Sequence, residues 1–117
     1  MFICTKMNGN GNDFLVIDNM DMRYDTASLA EYAVKLCRRR ESVGADGILV
    51  AEPSARADFK MRLFNRDGSE GEMCGNGARC FARYAFEKGL SGPTVDFETL
   101  AGIMHAEVTP PDVILHL

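Results

Sequence analysis

The residues with most chemical potential lie in one stretch, Asn65-Arg66-Asp67-Gly68-Ser69-Glu70-Gly71-Glu72-Met73-Cys74-Gly75-Asn76-Gly77-Ala78-Arg79-Cys80. Cys74 stands where a helical pattern begins, followed by Gly75, Asn76 and Gly77, small or turn-prone residues that let a ligand approach the unpaired backbone N–H groups of a first helical turn. Such a turn is an anion site. The positive end of the helix dipole favours a thiolate there by about 0.3–1 kcal/mol, which makes Cys74 the most acidic of the four thiols, while the nearby charges of Glu70 and Glu72 push the other way.

A thiolate beside a carboxylate-sized anion hole admits more than one chemistry. A cysteine hydrolase needs a histidine base, and the two histidines, His105 and His116, fall in predicted strands at the far end of the chain, where they read as strand-surface residues. Alternatively the thiolate acts as a base. It removes the proton alpha to a carboxylate while the helix amides hold that carboxylate, each such donor contributing about 3 kcal/mol as negative charge develops. Inverting the stereocentre then demands a proton donor on the opposite face of the carbon. Cys80 cannot be that donor, because six residues of helix carry it about 9 Å along the axis and about 600° around it. Cys80 reads as a small buried residue, and Cys4 and Cys37 as core residues of a strand and of an apolar helix stripe. The second acid/base group is expected from outside this chain.

The elements that must hold this segment are legible in part. Phe2 to Met7 and Phe14 to Ile17 read as strands joined by a hairpin loop of Asn8-Gly9-Asn10-Gly11-Asn12-Asp13. Apolar residues at 29, 32, 33, 36 and 37 predict an amphipathic helix, with Ser28 and Glu31 as its capping box and Arg38-Arg39-Arg40 at its C-terminal end. Strands follow at Ile48 to Val50 and Phe59 to Phe64, with a turn region around Pro53 to Asp58 between them and a turn at Asn65 to Gly68 after them. A second helix runs from near Cys74 to a stop at Gly89. Its Ala78, Cys80, Phe81, Ala82, Tyr84, Ala85 and Phe86 cover most of its circumference and leave Arg79, Arg83 and Glu87 as one polar line. A helix apolar nearly all round must be enclosed. A hairpin of Val95 to Leu100 and Ile103 to Thr109 across Ala101-Gly102, together with the earlier strands, supplies the wrapping sheet, and Val113 to Leu117 is a strand-like end with no polar tail, expected to be a cut.

The fold class expected is α+β: a curled, mostly antiparallel sheet around a central helix, plus one outer helix. With 117 residues, 46% of them hydrophobic and 26% charged, the chain is one globular domain, residues 1–117. Its net charge of -4 argues against nucleic acid, and its apolar runs stop far short of the roughly 20 residues that cross a bilayer. No export signal stands at the start, so a cytoplasmic setting with free thiols is expected. The cysteines form no C-x-x-C pair, so no metal is expected.

At Glu72-Met73-Cys74-Gly75-Asn76-Gly77-Ala78-Arg79-Cys80, preceded by Phe64-Asn65 and Asp67-Gly68-Ser69-Glu70, the chain resembles the active-site segment of the diaminopimelate epimerases. Lys6-Met7, Gly9, Gly11-Asn12-Asp13-Phe14 and Gly44-Ala45-Asp46-Gly47 resemble that family's N-terminal loop and its G-x-D segment. The resemblance implies a cofactor-independent isomerase of two pseudo-symmetric domains, with one catalytic cysteine in each and an amino-acid substrate between them. LL- and meso-diaminopimelate would be interconverted for lysine and cell-wall precursor synthesis. This chain would be the N-terminal half, its partner the missing C-terminal domain, and it would be inactive alone. Cys74 would be one of the acid/base cysteines, Gly75 and Asn76 would offer amides to the substrate carboxylate, and Asn12 and Asn65 would hold its polar groups. Exposed apolar surface where the second half docks would favour association, a homodimer being one form. Asn8 stands where the family usually has His, Asn10 where it has an apolar residue, and Gly47 where some members carry Gln; these departures leave a racemase or epimerase of another amino acid open. Proline racemase-like relatives place His after Cys-Gly, so Asn76 favours the diaminopimelate branch.

Overall fold

The computed structural model describes residues 4–8, 13–37, 46–72, 75–110 and 112–116, the side chains of 4–8 excepted. Eight strands form one sheet: β1 (Cys4–Asn8), β2 (Asp13–Asp18), β3 (Gly47–Glu52), β4 (Phe59–Asn65), β5 (Glu70–Gly71), β6 (Thr94–Thr99), β7 (Gly102–Thr109) and β8 (Asp112–His116). Two helices accompany them, α1 (Thr26–Leu36) and α2 (Gly75–Glu87). The strand order is β1-β2-β3-β4-β6-β7-β8, with β5 beside β4. The pairs β2–β3 and β4–β6 are parallel and the other five antiparallel, which is the mostly antiparallel sheet expected.

The sheet is curled because α2 has to be covered. Seven strands laid flat would be about 29 Å across at about 4.8 Å per step, yet α2 touches β1 and β2 near one edge, β4 in the middle, and β7 and β8 at the other edge. Gly77, Ala78, Cys80, Phe81, Ala82, Tyr84 and Ala85 are buried in that trough. Phe81 is its centre, its ring 6.4 Å from Phe59 and 5.2 Å from Phe97. The strands alternate accordingly: Phe14, Val16, Leu49, Ala51, Phe59, Met61, Leu63, Val95 and Phe97 face α2. The intervening Leu15, Ile17, Ile48, Val50 and Phe64 pack against Leu29, Ala33 and Cys37 of α1 on the outer face. Cys37 and Cys80 are buried free thiols, as expected of them. The helix ends at Gly89, whose φ of 72° permits bonds from Leu90 N–H to Ala85 C=O (2.9 Å) and from Gly89 N–H to Phe86 C=O (3.1 Å).

Three expectations need correction. The capping box of Ser28 and Glu31 does not form: Asp25 is the N-cap, its carboxylate accepting the Ser28 N–H at 2.8 Å, and Glu31 pairs with Lys35 at 2.6 Å. An apolar stripe marks where a buried face begins, and α1 starts a turn before that, at Thr26. The Ser28 donor holds the Asp25 carboxyl below its usual range. The second hairpin turns one residue earlier than expected, at Leu100-Ala101, with Gly102 (φ 120°) opening β7. Finally, β5 was not expected, since two residues carry no periodicity. The Asn8-to-Asp13 hairpin is present as the register Asn8↔Asp13, its connecting residues 9–12 lying outside the described residues, as does Arg38-Arg39-Arg40.

Because Phe81 fills the space between the sheet and the α2 axis, Phe81→Ala is expected to lower unfolding free energy by about 3–5 kcal/mol in a urea titration with little change in slope.

Candidate active site

The register places the expected site at one rim of the sheet. Asn8 pairs with Asp13, Phe14 with Gly47, Gly47 with Asn65 and Leu63 with Gly71, so the ends of β1 to β5 converge there. Two reciprocal bonds lock this rim, Asp13 N–H to the Asp46 carboxylate and Asp46 N–H to the Asp13 carbonyl, both 2.8 Å. The same rim receives the start of α2. Tyr84 senses the charge of Asp18, which adds to burial in raising its phenol. Asp18 is the far end of β2 from Asp13, so the helix runs back from there toward the rim. Three residues join Gly71 to Gly75, and the four Cα steps reach at most about 14 Å.

Of the five residues singled out in the sequence, Cys74 and Asn12 lie outside the described residues; Asn12 immediately precedes Asp13 and Cys74 immediately precedes α2. Asn65, Gly75 and Asn76 are described. Gly75 and Asn76 are the half-buried first residues of α2, whose first-turn amides have no intrahelical acceptor. Arg79 reaches back over this turn, with Nη1 3.5 Å from Asn76 Oδ1 and 3.7 Å from where a Cβ on Gly75 would stand. A guanidinium at a helix N-terminus opposes the dipole. Here it joins the first-turn amides, and the two together suit an anion. Sequence reasoning had assigned Arg79 only to a polar line; the missed signal is that helical side chains lean toward the N-terminus, so a residue three or four on covers the first turn.

Asn65 is exposed at the end of β4 and closes the turn that follows. Gly68 N–H donates to its carbonyl (2.9 Å), its own N–H to the Ser69 carbonyl (2.8 Å), and its side-chain amide to Ser69 Oγ (3.2 Å). Asp67 accepts from Ser69 Oγ and N–H at 2.6 and 2.9 Å, which holds its carboxyl below the usual range. Gly68 has φ 90° and sits so close to α1 that a Cβ would meet Val34 Cγ2 at 3.1 Å and the Ala30 carbonyl at 3.2 Å. A cleft of about 600 Å³ lies on this side, lined by Val34, Cys37, Asp46, Asn65, Arg66 and Asp67. Among the described residues of those singled out, Asn65 borders it.

The strand leading into the cysteine segment is held by a clamp that the sequence did not reveal. Arg62 of β4 grips Glu70 of β5 with two bonds, Nε to Oε2 at 2.9 Å and Nη2 to Oε1 at 2.8 Å. It also reaches Thr26 Oγ1 at 3.2 Å and Glu52 Oε2 at 3.4 Å, and its guanidinium lies 5.0 Å from the Phe64 ring centre. Glu52, only 3% exposed, accepts a further bond from Asn19 Nδ2 at 2.9 Å. The clamp therefore ties β3, β4, β5 and the start of α1 together. It lowers the Glu70 carboxyl, chiefly through the Arg62 bond, and raises the Arg62 guanidinium. Glu70 is thus an ion-paired carboxylate and not a lone negative charge on this segment.

Two outcomes follow for this rim. Gly68→Ala combines a strained φ with contact against α1 and should cost about 1–2 kcal/mol or more of stability, read by thermal melting. A carboxyl lowered on folding adds stability above its ordinary pKa and loses it as pH falls through the lowered one. Glu70→Gln should therefore be less stable than the parent by about 1 kcal/mol near neutral pH, with the gap closing below about pH 4, in paired denaturant titrations across pH.

Comparison with known proteins agrees with this architecture. The family model described as diaminopimelate epimerase matches residues 4–115. A diaminopimelate epimerase of Caldanaerobacter subterraneus subsp. tengcongensis is 55% identical over 105 residues, covering 89% of this chain and 37% of the relative. One from Archaeoglobus fulgidus is 49% identical over 105 residues, covering 89% and 38%. The chain thus spans less than two fifths of the length of these two relatives. Among solved structures, a PhzF-family phenazine biosynthesis protein of Bacillus anthracis superposes with a TM-score of 0.70 at 24% identity, over 97% of this chain and 38% of that one, a likeness of fold. With the family model matching nearly its whole length, the chain belongs to the diaminopimelate epimerase family.

Proposed function

We propose that this chain provides one acid/base half of an amino-acid epimerase, the reaction being exchange of the alpha proton between LL- and meso-diaminopimelate. The reading rests on one observation above others: the amide-bearing start of α2, at Gly75 and Asn76 and overhung by Arg79, opens at the rim where Asn65 ends β4. The substrate carboxylate is held by those amides. Cys74 exchanges the alpha proton on one face of the carbon, and Asn12 and Asn65 hold the remaining polar groups. A second thiol works from the opposite face, and comes from the part of the family's length that this chain does not span. Charge develops into the held carboxylate as the proton leaves, which is where fixed donors lower a barrier most. No cofactor enters these steps. The chain alone, with one usable thiol, binds substrate weakly at most and does not turn it over. Among the described residues no helix is long and apolar enough to cross a membrane, and we place the enzyme in the cytoplasm.

A second reading, epimerisation of a different amino acid, draws on Gly47. A Cβ there would stand 3.0 Å from the Phe64 carbonyl and 3.6 Å from Leu63 Cδ1, so the sheet is tight at this position, and glycine offers no side chain to a substrate.

Incubating the two-domain protein with LL-diaminopimelate in D2O should place deuterium at the alpha carbon, detected by mass spectrometry, and Cys74→Ser should abolish that exchange. Failure of the reduced parent protein to incorporate deuterium would remove the proposal, and incorporation with another amino acid alone would transfer it to the second reading. Arg79→Gln should lower kcat/KM at least severalfold, with kcat falling as well as KM rising, since a cation fixed over the first turn attracts the bound carboxylate more strongly as charge develops into it.

A further inference from the structure

The face of the sheet turned away from α2 carries an unexplained cluster. Three strands place Asp96, His105 and His116 side by side, since Asp96 pairs with His105 and His105 with His116 in register. Glu107 is two residues beyond His105 and so shares its face. Their neighbours Val95, Phe97, Met104, Ala106 and Val108 point inward to α2, which puts the cluster on the outer surface. The imidazole rings lie 5.3 Å apart, His116 Nε2 is 3.4 Å from Glu107 Oε2, and one donor atom from each of His105, Glu107 and His116 falls within 4.8 Å of the others.

We propose that His105, Glu107 and His116 form a binding site for a divalent transition-metal ion of the zinc class, with Asp96 orienting His105. Two imidazoles and a carboxylate suit Zn²⁺, Co²⁺, Ni²⁺ or Cu²⁺ in preference to Ca²⁺ or Mg²⁺, which favour all-oxygen shells. At metal–ligand bonds of about 2.0–2.2 Å, donor atoms already within 4.8 Å need only small side-chain rotations to close on one ion. Asp96 Oδ1 bonds His105 Nδ1, so coordination through Nε2 would give the carboxylate–histidine–metal arrangement that fixes ring orientation. Three protein ligands leave one tetrahedral position for water. The half-exposed side chains make the site accessible from solvent. Its physical effect is to cross-link β7 to β8, which among the described residues pairs on one side only. The expectation of no metal rested on cysteine spacing and did not address histidines brought together by register.

Zn²⁺ titrated into the reduced chain, with a chromophoric chelator as competitor, should bind once per chain in the micromolar range and raise the melting temperature reversibly. His105→Gln and His116→Gln should each weaken binding at least about tenfold, and Asp96→Asn by about 10–100-fold. Circular dichroism on the same samples checks that these surface variants fold. The thiols are a competing class of ligand, so Co²⁺ is the second probe: an absorption spectrum without the intense near-ultraviolet thiolate band supports the histidine site. A thiolate band, Zn²⁺ affinity unchanged in the folded double variant His105→Gln/His116→Gln, or no binding by the parent chain would overturn the proposal.

Discussion

The enclosure of α2 governs this structure. A helix with apolar side chains around most of its circumference cannot rest on a flat sheet, because a flat sheet covers one side and leaves the other in water. Bending β1 and β8 toward the same helix removes that exposed surface. Once the trough exists, the helix axis has little choice of direction, and its amide-bearing start is delivered to the rim where β1 to β5 end. Packing thereby sets the placement of that first turn.

That dependence explains which features were legible from residue order. The trough, its central helix and the stop at Gly89 follow from the spacing of Ala78, Phe81, Ala82 and Ala85 and from one glycine, all local signals. The alternation of Phe59, Met61 and Leu63 identified β4 in the same way. What stayed hidden is long-range. Arg62 was one polar member of that alternation, and nothing in the sequence says that its guanidinium spans Glu52, Glu70 and Thr26 from three other elements. Asp13 and Asp46, 33 residues apart, bond each other only because β2 and β3 run parallel. The start of α1 was misread for a different reason: Asp25 precedes the apolar stripe by four residues, and the pattern shows only the part of the helix that is buried. Of the candidate site, the amide-bearing turn was readable in Gly75 and Asn76, and the reach of Arg79 was readable in principle from helical geometry.

The clamp and the docked turn act on the same short segment from two directions. Glu70 is held from the sheet by Arg62, and Gly68 is pressed against α1 at Ala30 and Val34. Between them they fix the turn and the short strand that follow β4.

The central strand β3 shows how such a sheet keeps its alignment. All six of its residues are buried, with Ile48 and Val50 against α1 and Leu49 and Ala51 against α2. Sliding it by one position would exchange two sets of greasy side chains of similar size, a change that hydrophobicity alone scarcely penalises. Its two ends oppose the slide: Glu52 would leave the partners Asn19 and Arg62 and carry an orphaned charge into the interior, and a bulkier residue would be pressed against the Phe64 carbonyl where Gly47 now sits. The most apolar strand in the protein is thus indexed by one carboxylate and one missing side chain.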